Sequence, residues 1–324
     1  MRAIRQYTFG APETLKYEET PDPNPADDEV RVAVEAAGVH LVDTTIRKGQ
    51  AGGPYPPPSL PTIPGREVAG AVDAAGPGVE GLWPGQRVVV HLGAAGGGYA
   101  EFAVAPQGSL HLIPEGLDAQ AAVAMIGTGR TAVGILDAAA IRADDVVLVT
   151  AAAGGLGLLL SGAAKRAGAT VIGVTGGEPK AARVRALGAD YAFDYLADDW
   201  PQRVRNVVSG VTLVLDGVGG CVGRAALELL SPRGRTVMYG WSSGEPTHVT
   251  ADDLYSLGIS AVAAVGPRML AYPGGMRALE EQALKQAAAG HLQPTIQAYP
   301  LGQAAEAHRA LEQRETSGKV VLVP

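Results

Sequence analysis

Two patterns of hydrophobic residues divide the chain near Ala121. Before that point, short runs of alternating or small apolar residues are separated by turns rich in proline and glycine, which is typical of short strands. These runs are Val30–Ala37, Val68–Ala75, Gln86–His91 and Tyr99–Val104. Because no helical period lies between them, this part of the chain predicts a small barrel or sandwich.

After Ala121 the pattern changes to strands that alternate with helices. The predicted strands are Val146–Thr150, Thr170–Val174, Tyr191–Asp194, Val211–Asp216, Arg235–Tyr239 and Ile259–Val265. Helices are predicted at Pro179–Leu187, Trp200–Val208 and Val222–Leu230, and another follows the first strand. This alternation indicates right-handed βαβ units and a doubly wound parallel sheet of six strands.

The last part of the chain is too short for a domain of its own. It predicts helices at Met276–Ala289 and near Gln303–Gln313, and a final strand at Lys319–Val323. We therefore expect an α/β protein in which residues 123–265 are inserted into a domain that is formed by residues 1–122 and completed by residues 266–324.

A glycine-rich segment follows the first strand of the predicted parallel sheet. Residues 151–157 have the sequence Ala-Ala-Ala-Gly-Gly-Leu-Gly and lead into a helix. A tight turn, a close backbone approach and the N–H groups of a helix N-terminus together bind a pyrophosphate. The segment is a variant of Gly-x-Gly-x-x-Gly, and its strand–helix context favours a dinucleotide site over a helix start with small residues for packing.

The end of the second strand indicates which dinucleotide is bound. An NAD site expects an acidic residue there to bind the ribose 2′-hydroxyl, whereas this chain has Thr175 followed by two glycines. Lys180 follows closely and supplies a positive charge for a 2′-phosphate, although Glu178 is an unfavourable neighbour. NADP is therefore favoured over NAD, the alternative being that Lys180 only solvates a helix face.

Composition narrows the class of protein. Hydrophobic residues make up 47% and charged residues 18%, which excludes wholesale disorder. The net charge of −7 and the absence of lysine or arginine blocks argue against a nucleic-acid partner. The single cysteine, Cys221, rules out an intramolecular disulfide and a cysteine zinc cluster. The uncharged segment Val146–Ala164 is expected to be a buried strand and helix, and no signal peptide is visible, so we expect a cytoplasmic protein without a membrane span.

The motifs together resemble one family. The chain is similar over essentially its whole length to the zinc-independent medium-chain dehydrogenases/reductases of the quinone oxidoreductase (zeta-crystallin-like) group, which have a Rossmann domain inserted into a GroES-like domain. The matching stretches are Ala37–Gly49, Tyr55–Gly70, Pro84–Val90, Ala151–Gly157, Val214–Gly220, Tyr239–Gly244 and the ending from Glu312 to Pro324. The resemblance also implies a homodimer.

The resemblance extends the set of cofactor contacts. Tyr195 and Arg314 join Lys180 at the adenosine 2′-phosphate, Val265 lies near the nicotinamide, and Gly318 and Lys319 close the phosphate end. The full set of expected NADPH contacts is Thr131, Ala153, Gly154, Gly155, Leu156, Gly157, Thr175, Lys180, Tyr195, Tyr239, Gly240, Ser243, Val265, Arg314, Gly318 and Lys319.

The substrate side departs from the family pattern. Zinc alcohol dehydrogenases carry Cys at the position of His40 and His at that of Arg66, next to Glu67, so no metal is expected here. Quinone reductases of this type often have Asn at His40 and Tyr at Thr45. We expect His40 to orient the acceptor carbonyl, with Thr45 and Tyr55 shaping the pocket. A structural role for His40 stays open.

These observations predict an NADPH-dependent reductase that transfers hydride to a quinone or an α,β-unsaturated carbonyl without zinc. One alternative is a non-catalytic protein of the same fold that binds NADPH as a sensor or structural element. Another is an α/β-hydrolase, because residues 240–244 spell Gly-x-Ser-x-Gly. The hydrolase is disfavoured because Pro246 and β-branched residues follow, which start a helix poorly.

Overall fold

The chain divides into two compact units in a computed structural model that describes residues 1–51 and 55–324. We call Met1–Thr128 together with Pro294–Pro324 the split unit, and Gly129–Gln293 the sheet unit. The sheet unit is thus inserted into the split unit, which is the arrangement that the sequence pattern predicts.

The secondary structure follows in chain order. The strands are β1 (Arg2–Gln6), β2 (Leu15–Glu19), β3 (Glu29–Val39), β4 (Glu67–Ala75), β5 (Arg87–His91), β6 (Phe102–Pro106), β7 (His111–Leu112), β8 (Val146–Thr150), β9 (Thr170–Thr175), β10 (Tyr191–Asp194), β11 (Val211–Asp216), β12 (Leu230–Met238), β13 (Ser260–Ala263), β14 (Ile296–Pro300) and β15 (Lys319–Val323). The helices are α1 (Leu41–Arg47), α2 (Ala119–Ala124), α3 (Arg130–Ala139), α4 (Gly155–Arg166), α5 (Glu178–Ala186), α6 (Trp200–Arg205), α7 (Gly220–Leu227), α8 (Ala251–Leu257), α9 (Pro267–Leu270), α10 (Gly275–Ala288) and α11 (Ala304–Glu312).

The split unit is built on one mixed sheet. In the described residues its strand order is β14-β15-β3-β4-β5-β7, and β6 pairs with β3 as well. Only β14 and β15 run parallel, while the other pairs are antiparallel. The valines of β3, β4 and β5 form the centre of its core, which Leu322 of the last strand completes.

The sheet unit is a parallel sheet with the order β10-β9-β8-β11-β12-β13. Its β8, β9 and β11 are runs of buried aliphatic residues, which is usual for strands that helices cover on both faces. The strand order reverses between β8 and β11. Ligands of open α/β sheets bind at such a reversal, outside the carboxyl ends of the strands.

All six predicted strands of the parallel sheet are present, and β8, β10 and β11 have the predicted bounds. β12 begins at Leu230 rather than at Arg235, so the predicted helix Val222–Leu230 ends too late; α7 stops at Leu227. The elements that sequence analysis missed are β1, β2, β7, β14, α1, α2, α3, α8 and α9. None of the helices in the part of the chain described here is both long and apolar enough to cross a membrane, and the uncharged segment folds as β8 and α4.

The predicted domain boundaries need correction. The chain returns to the split unit at Pro294, not at residue 266, and it enters the sheet unit at Gly129, not at residue 123. The physical reason is packing, because α10 lies against α3 and Glu280 forms a part-buried ion pair with Arg130. The helices α9 and α10 therefore belong to the sheet unit.

Candidate active site

The glycine-rich loop connects β8 to α4 with a close approach of helix and strand. Gly154 is the N-cap of α4 and accepts from Leu158 in the first helical hydrogen bond. A Cβ on Gly157 would lie 2.4 Å from the carbonyl oxygen of Ala151, so only glycine fits there. Ala151 has a positive φ of 49°, a conformation that glycine usually provides. The loop thus leaves the N-terminus of α4 accessible to an anion.

The ends of β9 and β10 form a second part of the same edge. The hydroxyl of Tyr195 would lie 3.1 Å from a Cβ on Gly176, so the phenol covers this glycine closely. Oδ1 of the Asp194 carboxylate accepts hydrogen bonds from the N–H groups of Gly177 at 2.7 Å and Leu196 at 2.9 Å, which fixes the orientation of this side chain. Glu178, the unfavourable neighbour of Lys180, is paired with Arg185 on the same helix.

A buried carboxylate braces the carboxyl edge of the parallel sheet. Asp216, at the end of β11, accepts from the Thr150 hydroxyl at 2.8 Å and from the Thr247 hydroxyl at 2.6 Å. Thr150 is the residue immediately before the glycine-rich loop. The phenol of Tyr239 donates to the Thr150 carbonyl at 3.3 Å, and burial raises the pKa of this phenol. Sequence analysis did not identify Asp216 or Thr247, whose contacts join residues far apart in the chain.

The other expected cofactor residues are distributed over both units. In the sheet unit, Thr131 begins α3, Gly240 and Ser243 follow β12, and Val265 follows β13. In the split unit, the expected positions are Arg314 and Gly318, which precede β15, and Lys319, which begins it. The sheet-unit residues other than Thr131 all lie at or after the carboxyl ends of strands.

The split unit contains a buried centre of three charged or ionisable side chains, His40, Glu67 and Lys319. Lys319 Nζ lies 2.8 Å from His40 Nε2 and donates to Glu67 Oε2 at 2.9 Å. Glu67 Oε1 lies 2.6 Å from His40 Nε2. The side chain of Glu67 is 0% exposed and that of Lys319 is 4% exposed, whereas that of His40 is 23% exposed. His40 is thus the member of the centre that a ligand reaches.

Sheet register brings these residues together. Val320 of β15 pairs with Val39 of β3, which places Lys319 beside the residue after Val39, namely His40. Glu67 begins the next strand, β4, and pairs with His91 of β5. The centre is therefore a row across neighbouring strands at one end of the sheet. The resemblance implies that Lys319 closes the phosphate end of the cofactor site, and this stays a prediction.

Two glycines make room for the Glu67 carboxylate. A Cβ on Gly38 would lie 2.2 Å from Oε2, and a Cβ on Gly127 would lie 1.6 Å from Oε1. Burial alone would raise the pKa of this carboxyl, but the neighbouring His40 and Lys319 outweigh burial and hold the pKa well below its usual value. Burial also lowers the pKa of Lys319, against the opposing charge of Glu67. The carboxylate is therefore kept ionised by its neighbours.

Arg66 turns away from Glu67 and towards a second carboxylate. Its Nε donates to Asp43 Oδ1 at 2.9 Å, and its guanidinium lies 4.2 Å from the centre of the Tyr55 ring. The other oxygen of Asp43 accepts from the His40 backbone N–H at 2.8 Å, which fixes the start of α1. Tyr55, Arg66 and Asp43 line one pocket together with Ile46 and loop residues. Thr45 lies half-buried on α1.

A chain of buried polar groups supports Asp43 from behind. Arg47 Nη1 lies 3.4 Å from His308 Nδ1, and the Tyr99 hydroxyl oxygen lies 3.2 Å from His308 Nε2. Because Arg47 only donates, His308 accepts at Nδ1 and donates from Nε2 to the Tyr99 hydroxyl, which donates to Asp43 at 3.3 Å. None of these residues belongs to a sequence motif, so this hydrogen-bonded network was not predicted.

The Gly-x-Ser-x-Gly segment does not form a nucleophile elbow. Residues 240–250 follow β12 as turns and irregular backbone, and the next helix, α8, begins only at Ala251. An elbow needs a strand that opens directly into a helix. Asp253, an acidic residue that follows this segment, is the N3 residue of α8 and bonds to Thr250 and Arg224. The hydrolase alternative is therefore wrong.

Comparisons with known proteins agree with this architecture. Residues 26–115 match the alcohol dehydrogenase GroES-like domain, and residues 187–322 match the family described as zinc-binding dehydrogenase. A quinone oxidoreductase of Salmonella typhimurium is 33% identical over 99% of this chain and 99% of its own length. A 2-haloacrylate reductase of a Burkholderia species is 32% identical over 97% of this chain and 96% of its own.

Solved structures of similar proteins superpose on this chain over its full length. An NAD-dependent alcohol dehydrogenase is 33% identical, covers 100% of both chains and superposes with a TM-score of 0.87. The quinone oxidoreductase of Escherichia coli, solved in complex with NADPH, is 31% identical over 100% of both chains with a TM-score of 0.85.

The buried His308 generates a prediction for stability. Burial lowers its pKa from 6.5 to about 4, so the folded protein holds it neutral at pH 5 while the unfolded chain protonates it. The unfolded state then binds more protons than the folded state. The contribution of His308 to the free energy of unfolding therefore falls by about 2 kcal/mol between pH 7 and pH 5. His308→Gln removes this part of the pH dependence. Urea unfolding of both proteins at the two pH values measures it, and an equal fall in both would contradict the assignment.

Proposed function

The chain belongs to the quinone oxidoreductase group of the medium-chain dehydrogenases/reductases, and on this premise we propose that it is an NADPH-dependent reductase of quinones or α,β-unsaturated carbonyls that works without zinc. The observation that carries the proposal is the carboxyl edge of the parallel sheet. There the glycine-rich loop leads into α4, and Gly157 permits the close packing that a bound pyrophosphate requires.

The second strand supports NADPH over NADH. β9 ends at Thr175, and two glycines follow it, so no acidic residue stands at the position where an NAD site binds the ribose 2′-hydroxyl. A 2′-phosphate, in contrast, finds the hydroxyl of Tyr195 and the ammonium of Lys180 on the same edge. When bound, NADPH supplies the hydride.

On the acceptor side, the reaction needs a polar group that orients a carbonyl. We assign this role to His40, because its ring is partly exposed while Glu67 and Lys319 hold it in one orientation. Thr45 and Tyr55 shape the pocket. Such catalysis depends mainly on position and on the exclusion of water.

Two cationic side chains are the reason that we propose a mechanism without zinc. Arg66 occupies a position where zinc alcohol dehydrogenases carry a ligand, and Lys319 lies between His40 and Glu67.

The homodimer implied by the resemblance stays a prediction. The exposed residues Ser260 and Ala263 of the edge strand β13 support it, and light scattering of the purified chain tests it.

The wild-type protein tests the proposal as a whole. We expect acceptor-dependent oxidation of NADPH with members of a panel of quinones and enones, slower oxidation of NADH, and unchanged rates after exhaustive chelation. Absorbance of the reduced nicotinamide measures the rates, and elemental analysis measures the metal. The absence of turnover with every acceptor would favour the non-catalytic alternative, and loss of activity together with one zinc per chain would contradict the zinc-free mechanism.

Lys180→Ala tests the cofactor preference. Loss of a charge-assisted hydrogen bond of about 1.5–3 kcal/mol weakens NADPH by about 10- to 150-fold, while NADH, which lacks the phosphate, binds as before. Fluorescence titration with both cofactors measures this. Arg183→Ala, an exposed residue of the same helix, is the matched control and should change neither affinity. A Lys180 variant that weakens NADH and NADPH equally would defeat the assignment.

His40→Ala tests the acceptor role. Loss of one hydrogen bond to the carbonyl lowers kcat by about 3- to 10-fold, and the NADPH affinity of the sheet unit stays the same. His40→Asn, which supplies an amide N–H donor in place of the imidazole, retains more activity. Steady-state kinetics over several acceptors measures both variants, with the exposed His291→Ala as control. Unaltered kinetics in His40→Ala would leave His40 with a structural role only.

A further inference from the structure

The three side chains of the His40–Glu67–Lys319 centre contact one another in pairs. Glu67 Oε1 is 2.6 Å from His40 Nε2, and Lys319 Nζ lies 2.8 Å from the same nitrogen. Nε2 either donates to the carboxylate or accepts from the ammonium, depending on the tautomer of the ring. In both cases a buried carboxylate carries a negative charge, and a nearby cation is needed to stabilise it.

Lys319 is placed to be this cation. Its Nζ lies 2.8 Å from Nε2 and 2.9 Å from the second oxygen of the same carboxylate. Because Glu67 is 0% exposed, water cannot compensate its charge, and an uncompensated buried carboxylate is strongly destabilising. The ammonium thus balances the carboxylate and contacts the imidazole at the same time.

An imidazole nitrogen beside a carboxylate is also a donor set that zinc prefers. Zinc does not fit this centre, however, because the Lys319 ammonium already contacts both side chains and would repel a second cation. Within residues 1–51 and 55–324, no group of three or more His, Cys, Asp or Glu side chains is arranged to hold a metal ion. His91 is the next side chain of this kind, with its Nε2 4.0 Å from Glu67 Oε1.

We propose that the Lys319 ammonium is the resident cation of this centre and takes the place of a divalent metal ion between His40 and Glu67. This inference rests on the proposed function only for the absence of zinc, and it gives a physical reason for that absence. A cation that belongs to β15 cannot dissociate or be chelated, and it holds His40 and Glu67 as a metal ion would. Removal of the ammonium leaves a carboxylate, an imidazole and a cavity, and these take up a divalent ion.

The experiment compares metal uptake by the wild-type chain and by Lys319→Ala. After incubation with Co²⁺ or Zn²⁺ and gel filtration, we expect about one equivalent of metal per chain in the variant and less than about a tenth in the wild type. Bound Co²⁺ adds visible absorption, and Zn²⁺ raises the Tm of the variant by about 5 °C or more. Lys48→Ala, which removes an exposed lysine of the same unit, is the matched control and stays free of metal. The double variant His40→Ala, Lys319→Ala loses the gained uptake.

A second variant covers the case in which Lys319→Ala does not fold. Lys319→Gln keeps hydrogen-bond donors for Glu67 but removes the charge, and we expect it to fold and to take up Co²⁺ as well. A folded variant at this position that binds no more metal than the wild type would overturn the proposal, and so would a wild-type chain that retains one equivalent. Metal uptake is measured without NADPH or an acceptor. A wild type that reduces no acceptor therefore contradicts the proposed function and not this one.

Discussion

The buried charge of Glu67 constrains every element at its end of the split unit's sheet. A carboxylate without access to water needs opposite charge and hydrogen bonds within reach, and here the first strand residue of β15 supplies them. The same carboxylate requires small neighbours, which explains the glycines at positions 38 and 127. It also fixes the imidazole of His40, the one partly exposed group of the centre. The candidate acceptor site is thus positioned by an ion pair that a ligand does not reach.

In the sheet unit, hydrogen bonds alone stabilise a buried carboxylate. Asp216 is buried, and hydroxyl and backbone N–H groups from three segments of the unit satisfy its carboxylate. Those bonds hold the end of β8, and therefore the beginning of the glycine-rich loop, at a fixed place relative to β11 and the loop at Thr247. Precise loop placement matters because backbone N–H groups bind an anion only when they point at it together.

The local parts of this structure could be predicted from sequence, and the long-range parts could not. Short, mostly apolar runs between helical segments predicted β8, β10 and β11 to the residue, because buried parallel strands have that composition. The helices α9 and α10 were assigned to the wrong unit, since nothing local shows that α10 packs on α3. In the site, the glycine-rich loop has a motif, whereas Lys319 and Glu67 are 252 residues apart and meet only through sheet register. His40 and Lys319 were identified as candidates for different sites, the acceptor pocket and the phosphate end of the cofactor site, and their contact with each other was not predicted.

The split unit also determines the order in which the protein can be completed on the ribosome. β3 and β4 precede the sheet unit, whereas β15, the strand that carries Lys319, is synthesised only after the whole of that unit. At about 5–20 residues per second, the 252 residues between Glu67 and Lys319 take roughly 10–50 s to translate. During this time the nascent strands hold a carboxylate that they cannot bury. The contiguous sheet unit is free to fold first, and closure of the split unit waits for the synthesis of β15.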